Sequence, residues 1–287
     1  MTGNLDAAKL DNRTRVAARR VIQAAVPTIG RYRRSSRPLP ELLVIGAQRC
    51  GTTSLHRLLS SHPQLHAPMA KKGVHYFDLA YARDLNWYRC AFPRLQPGEI
   101  AFESSPYYMF HPLIAQRVAS DLAEVKVIAV LRDPVERSIS HHHRETMRGF
   151  ESLSLKEAIT CEPSRLEHSL EALSASRGAT DHAHQHFAYL QRGHYAQQLT
   201  RWFDGLGRDR VLVLDVDEVS QAPDRSLGQI ADFVGVDPFP SGTRFPFANT
   251  YRRPVVDIGT RRILEDYFAG LDHELAKLLG RPVSWRK

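Results

Sequence analysis

The chain has 287 residues, 39 Lys and Arg against 31 Asp and Glu, a formal net charge of +8, and 43% hydrophobic and 9% aromatic residues. That is ordinary globular composition with enough apolar residues for a sizeable core, so whole-chain disorder, collagen, coiled coil and a small staple-dependent scaffold are excluded. The three cysteines, Cys50, Cys90 and Cys161, are few, odd in number and without paired spacing, which predicts neither a disulfide framework nor structural zinc.

Residues 1–40 read as a basic extension, with Arg13, Arg15, Arg19, Arg20, Arg31, Arg33, Arg34 and Arg37 around a short apolar stretch, Val21–Ile29, interrupted by Pro27. The expectation is a solvated, partly frayed helix ahead of the domain. Peripheral contact with an anionic membrane is the sharper alternative. No run reaches the roughly 18 to 20 apolar residues that cross a bilayer, and no signal-like apolar core is visible, so a cytoplasmic, reducing location is expected. The basic balance favours anionic partners without choosing among nucleic acid, lipid headgroups and phosphorylated small molecules.

From residue 41 to 287, short apolar runs alternate with helical periodicity. Strands are predicted at Leu42–Ile45, Val74–Phe77, Ile100–Phe102, Val125–Leu131 and Val211–Leu214, and helices near Ser54–Ser60, Pro112–Leu122, Pro134–Arg148, His194–Phe203, Leu227–Val234 and Thr260–Leu279. The pattern predicts an α/β fold, a single domain whose central parallel sheet is flanked by helices. Residues from about 150 to 186 are polar with no strand signal and read as an insertion, a lid or one wall of an acceptor cleft.

The stretch Leu42-Leu43-Val44-Ile45-Gly46-Ala47-Gln48-Arg49-Cys50-Gly51-Thr52-Thr53-Ser54 runs from a buried strand through a glycine-bounded loop into a hydroxyl-rich helix start. Such a turn directs backbone N–H groups and the positive end of the helix dipole at one point, which suits phosphate. Gly46 and Gly51 have P-loop spacing, but Thr52 stands where a nucleotide triphosphatase has Lys, and the basic residue lies inside the loop at Arg49. A triphosphate is therefore disfavoured. A tight turn using its glycines only for shape is the plain alternative, and Cys50 reads as a small loop residue rather than a nucleophile.

A second strand-turn-helix follows at Val125 to Ser140. Asp133 is a natural N-cap, Pro134 fits the first helical position, and Arg132 stands at the carboxyl end of the strand, where open α/β sheets bind ligands. Ser140 lies two turns along the helix from the cap, so guanidinium and hydroxyl together suit a phosphate monoester. A salt-bridged Arg132 and a surface Ser140 are the alternative. A nucleotide phosphorylated at both ends of its ribose would need both loops.

With both loops in view, the sequence resembles the sulfotransferases that use 3′-phosphoadenosine 5′-phosphosulfate (PAPS), and among them the heparan-sulfate type of carbohydrate sulfotransferase and its bacterial relatives. The resemblance covers nearly all of residues 42–285. It rests on Gln48-Arg49-Cys50-Gly51-Thr52-Thr53 and on Leu131-Arg132-Asp133-Pro134 with Arg137 and Ser140, supported by His75-Tyr76-Phe77-Asp78, Asn86-Trp87-Tyr88, Glu103 with Ser105-Pro106-Tyr107, Gly193-His194-Tyr195 and the closing Gly280-Arg281-Pro282-Val283-Ser284-Trp285. It implies a single P-loop-type domain, with Arg132 and Ser140 at the 3′-phosphate of PAPS and Gln48, Arg49, Cys50, Gly51, Thr52, Thr53 and Ser54 at its 5′ end. Tyr195 is a further donor-site residue by the same resemblance, and Arg252 and Arg253 close over the phosphates. The implied acceptor is a hydroxyl on a glycan, glycolipid or glycosylated small molecule, with no nucleic acid partner and no metal.

Two departures matter. The family usually has Lys where Arg49 stands, so Arg49 would act at the leaving group electrostatically rather than as an acid. The heparan-type enzymes place a catalytic Glu two residues before the histidine of the His-aromatic-Phe-Asp run, and this chain has Gly73 there. His75 becomes the first candidate for general base, with Glu103 and Asp78 in reserve; a buried histidine bonded to backbone is its plain alternative. The run His141-His142-His143 cannot face one metal ion, because consecutive helical residues point about 100° apart. The rival readings are a catalytically degenerate PAP- or polyanion-binding protein, for which Gly73 would be the sign, and a P-loop kinase or NTPase.

Overall fold

The computed structural model describes residues 36–245 and 255–286. All of the basic extension before residue 36, and Arg252 and Arg253, lie outside the described residues. Five parallel strands make the sheet: β1 (Leu42–Gly46), β2 (Leu65–His66), β3 (Ile100–Ser104), β4 (Lys126–Leu131) and β5 (Val211–Asp215), in the order β2-β3-β1-β4-β5. Around them lie α1 (Thr52–Ser60), α2 (Tyr76–Leu79), α3 (Leu85–Arg89), α4 (Ile114–Asp121), α5 (Pro134–Met147), α6 (Leu155–Leu166), α7 (Ser169–Ser174), α8 (His182–His186), α9 (Tyr195–Leu206), α10 (Val216–Gln221), α11 (Pro223–Val234) and α12 (Ile258–Leu279).

The central strand explains its own sequence. Each residue of β1 is buried, because helices cover both sheet faces, and an unbroken apolar run is what such a strand requires. Leu42 and Val44 turn to the face shared with Ile128, Leu212, Leu55 and Leu58 of α1, and Ile230 of α11. Leu43 and Ile45 turn to the other, with Val127, Ala129, Val118 of α4 and Leu199 and Trp202 of α9. The chain leaves β1 toward β2 and β3 on one side and leaves β4 toward β5 on the other. The loops after β1 and β4 therefore part at a topological switch point, opening a crevice at the carboxyl ends of neighbouring strands.

The strand expected at Val74–Phe77 does not form. His75 has a left-handed backbone, φ 58°, which ends any extended run, and Tyr76–Leu79 make a helical turn. Its aromatic residues are buried by one another instead of by a sheet: Tyr76 stacks on Tyr88 at 4.6 Å and meets Phe77 edge-on. β2, only two residues long, carries too little alternation to be read in sequence.

The polar stretch 150–186 folds as α6, α7 and α8 and is fastened to the domain. Leu155, Ala158 and Ile159 pack on Val135 and Ile139 of α5 and on Leu264 and Phe268 of α12. Two inward carboxylates tie it further. Glu162 accepts the Leu190 and Gln191 N–H groups at 2.6 and 2.8 Å, and Glu151 accepts from Arg165 and from the Tyr189 hydroxyl at 2.6 and 2.9 Å. Among the described residues, no helix is long and apolar enough to cross a membrane.

Candidate active site

Gly46 ends β1 and hands the chain to the loop, where Ala47 N–H is held by the Val130 carbonyl of β4 at 2.8 Å. The loop needs left-handed backbone at Arg49 (φ 75°) and Gly51 (φ 84°), the latter being the N-cap of α1. No side chain caps that helix, so its first N–H groups face the crevice, the arrangement that binds an anion. On the neighbouring strand the second loop starts as expected: Asp133 caps α5 by accepting from Val135 N–H at 2.9 Å, with Pro134 in the first turn.

The two loops touch. Arg49 Nε donates to Ser140 Oγ at 3.0 Å, from the first loop to the second turn of α5. Tyr195 braces them from below: its hydroxyl donates to the Arg132 carbonyl at 3.0 Å and lies 3.6 Å from the Cys50 thiol. Arg132 itself lies 3.6 Å from Glu136, which Arg261 also holds at 2.8 Å.

Several predicted residues have places other than direct ligand contact. Tyr195 is 2% exposed with its hydroxyl spent on the loop backbone, so it shapes the site rather than lining it. Cys50 is fully buried, its N–H bonded to the Ala47 carbonyl, and burial pushes its thiol pKa up, against nucleophilic chemistry. The Gln48 side chain turns away to accept from Arg192 at 2.5 Å. Thr52, Thr53, Ser54 and Gly51 sit at the helix start where the sequence puts them.

His75 is partly exposed beside this crevice, with Nδ1 2.8 Å from Asp78 Oδ2. Burial works against its imidazolium, but the Asp78 carboxylate, helped by Glu103, outweighs that and holds His75 above the ordinary histidine value. With Asp78 taking the Nδ1 proton, Nε2 carries the lone pair, the state a base requires. Glu103 lies behind. It is completely buried, its Oε2 accepts Val74 N–H at 2.9 Å, and its Oε1 has no hydrogen-bond partner. Burial raises this carboxyl to about 7. Glu103, the other residue expected to be catalytic, thus holds the backbone that leads into His75.

Gly73, where the heparan-type pattern has its acid, has no room for one. A Cβ there would stand 2.6 Å from Ser105 Oγ and 2.7 Å from the Ser104 carbonyl, with His75 Nε2 at 3.4 Å. The His141-His142-His143 run diverges as helical geometry demands: His141 is buried beside Arg137, and His142 Nε2 reaches the Leu153 carbonyl at 2.9 Å.

Sequence reasoning missed Lys72 and Arg192. Lys72 Nζ donates to Thr52 and Thr53 Oγ1 at 3.1 and 3.3 Å, and nothing in the pair Lys71-Lys72 distinguishes it from a solvated charge. Arg192, 2% exposed, joins Gln48 to the His184 and Gln185 carbonyls and lies over the Tyr107 and Phe110 rings. Its place directly before Gly193-His194-Tyr195 was the available signal.

Comparison with known proteins agrees with this geometry. Residues 39–249 match the sulfotransferase domain model. Human heparan sulfate glucosamine 3-O-sulfotransferase 3B1 is 29% identical over 220 residues, 75% of this chain and 51% of that protein, and the human bifunctional heparan sulfate N-deacetylase/N-sulfotransferase 2 is 26% identical over 282 residues, 86% and 31%. The chain thus spans about half the length of the first of these relatives and less of the second. A crystal structure of a sulfotransferase from Alicyclobacillus acidocaldarius, 26% identical, superposes with a TM-score of 0.69 over 87% of this chain and 100% of that one. With a family model covering residues 39–249 and relatives of the heparan-sulfate and bacterial kinds, the chain belongs to the sulfotransferase domain family.

Proposed function

We propose that the protein transfers the sulfuryl group of PAPS to a hydroxyl of a carbohydrate, glycolipid or glycosylated small molecule. The observation that carries this reading is the meeting of two anion loops on neighbouring strands, β1 and β4, with Arg49 bridging to Ser140 at 3.0 Å. A doubly phosphorylated nucleotide fits such a paired site. Its 5′ end would lie against the uncapped start of α1 and its 3′-phosphate against Arg132 and Ser140. The carbohydrate acceptor class is supported by the heparan sulfate enzymes among the relatives.

PAPS supplies an activated sulfuryl group when bound. The chain's residues have three tasks: to hold the donor, to place the acceptor oxygen in line, and to take its proton. His75 Nε2 takes that proton, and Asp78 stabilises the imidazolium that forms. Most of the remaining acceleration comes from positioning and from positive charge fixed beforehand at the loop. Closure of Arg252 and Arg253 over the phosphates, and the alternative that the basic extension touches an anionic surface, rest on the sequence.

The test is incubation of the protein with radiolabelled PAPS and a mixed extract of glycans and lipids. Label is expected on a glycan-bearing product, with little from Arg132→Ala or His75→Ala. Tight PAP binding with no transfer to any acceptor would instead favour the degenerate binding protein.

A further inference from the structure

We propose that Lys72 is a further catalytic residue: its ammonium meets the 5′ end of the donor, at the oxygen through which the sulfuryl group leaves. The assignment rests on the PAPS reading above. Lys72 reaches the first turn of α1 from the loop before His75, donating to Thr52 Oγ1 at 3.1 Å and to Thr53 Oγ1 at 3.3 Å. Its backbone is fixed as well, because the Lys72 carbonyl accepts Ser104 N–H at the end of β3 at 3.1 Å.

Among the described residues no carboxylate compensates this cation. Burial alone pushes Lys72 down to about 7, with no attractive partner opposing the shift. A half-buried ammonium without a counter-ion is costly, and here it stands beside the uncapped N-terminus of a nine-residue helix. Both features lack the same thing, an anion. Neighbouring His56 does not compete as a cation: burial and Lys72 push it down to about 4, and its Nδ1 lies 3.0 Å from Ser104 Oγ. Lys72 is thus a second cation at the 5′ pole beside Arg49, the cation inside the loop, whose Nε is tied to Ser140 at 3.0 Å.

In the transfer, the acceptor oxygen forms its bond to sulfur and gives its proton to His75 Nε2. The bond from sulfur to the bridging oxygen breaks with its electron pair left on the 5′-phosphate. Lys72 neutralises that charge and keeps its own protons, an electrostatic role.

The experiment compares the full chain with Lys72→Met and Lys72→Arg. Calorimetry measures binding of PAP and of adenosine 3′-monophosphate, which lacks the 5′ group. Turnover of radiolabelled PAPS, as transfer to desulfated heparan sulfate or as hydrolysis, measures the rate. Lys72→Met is expected to lose about 10- to 100-fold in PAP affinity, to bind adenosine 3′-monophosphate like the native chain, and to lose about 100-fold or more in turnover at saturating PAPS. Lys72→Arg, which keeps charge at the site, is expected to recover about tenfold of the turnover. The proposal is overturned if Lys72→Met keeps turnover within about threefold, or if both nucleotides weaken equally, the mark of a structural role. Failure of the native chain to bind PAP would instead sink the donor reading, and the proposal with it.

Discussion

Arg49 Nε donates to Ser140 Oγ at 3.0 Å although the two residues stand 91 positions apart in sequence. One is in the loop after β1 and the other on the helix after β4, and the parallel pairing of those strands, Leu42 opposite Lys126, brings them together. The contact makes the two anion loops one site. The proposed place of Ser140 and Arg132 at the 3′-phosphate predicts that damage there is felt more by a nucleotide carrying that phosphate than by one lacking it.

Ser140→Ala should weaken PAP binding about 5- to 10-fold, as for one neutral hydrogen bond of about 1 kcal/mol. Arg132→Ala should cost about 10- to 100-fold, since a charge-assisted contact is lost. Adenosine 5′-phosphosulfate, without the 3′-phosphate, should bind both variants like the native chain in a calorimetric titration. A matching loss for that ligand would remove both residues from the 3′ pocket.

The His75–Asp78 pair predicts a pH profile. With His75 as the proposed base, transfer should rise as pH climbs through a value above the ordinary 6.5. In Asp78→Asn the largest upward pull is gone and only Glu103 is left against burial and Lys71, so the acid limb should move to lower pH. His75→Ala should lose about 100-fold or more in rate. An acid limb that stays in place in Asp78→Asn would exclude His75 as the titrating base.

Restoring an acid at position 73 should fail. The Cβ of any residue there meets the Ser104 carbonyl at 2.7 Å, a backbone atom that cannot swing aside. Gly73→Ala and Gly73→Glu should each lose about 1 to 3 kcal/mol in urea denaturation, and Gly73→Glu should gain no transfer activity. Native stability with enhanced transfer in Gly73→Glu would show that the loop has room for the acid after all.

Arg192→Met should loosen the insertion and the loop together. It strands the buried His184 carbonyl, which costs about 1 to 3 kcal/mol when left unpaired, and frees the half-buried Gln185 carbonyl and Gln48 side chain. Faster hydrogen exchange is expected at both 182–187 and 47–51. Faster exchange in only one of the two would separate the insertion from the donor loop.

Glu103 and Glu162, both buried and both raised to about 7, predict stability that falls with rising pH. A carboxyl whose folded pKa exceeds the unfolded 4.5 binds an extra proton in the folded state between the two values, so stability declines from about pH 4.5 to 7 and then levels off. Glu103→Gln should flatten part of this decline in melts taken across that range. An identical pH dependence in Glu103→Gln would place the titration elsewhere.

Much of the paired-loop site was legible in the order of residues. Leu42–Gly46 is a continuous apolar run because helices cover both faces of β1, and Asp133-Pro134 announces a helix start because each residue suits only the first turn. The segment around His75 was not. Val74, Tyr76 and Phe77 look like a strand, but a left-handed His75 and a stacked aromatic cluster bury them another way.

By itself the sequence determined the elements whose signal is local: strands, caps and the two loops, each written in consecutive residues. Only the tertiary structure decided which side chains share the crevice. Lys72 against Thr52, Arg192 against Gln48, and Glu103 sealed behind Val74 depend on distances between segments far apart in the chain. A residue's charge can be read from its name, but whether water, a carboxylate or a bound anion answers that charge depends on what the fold places beside it.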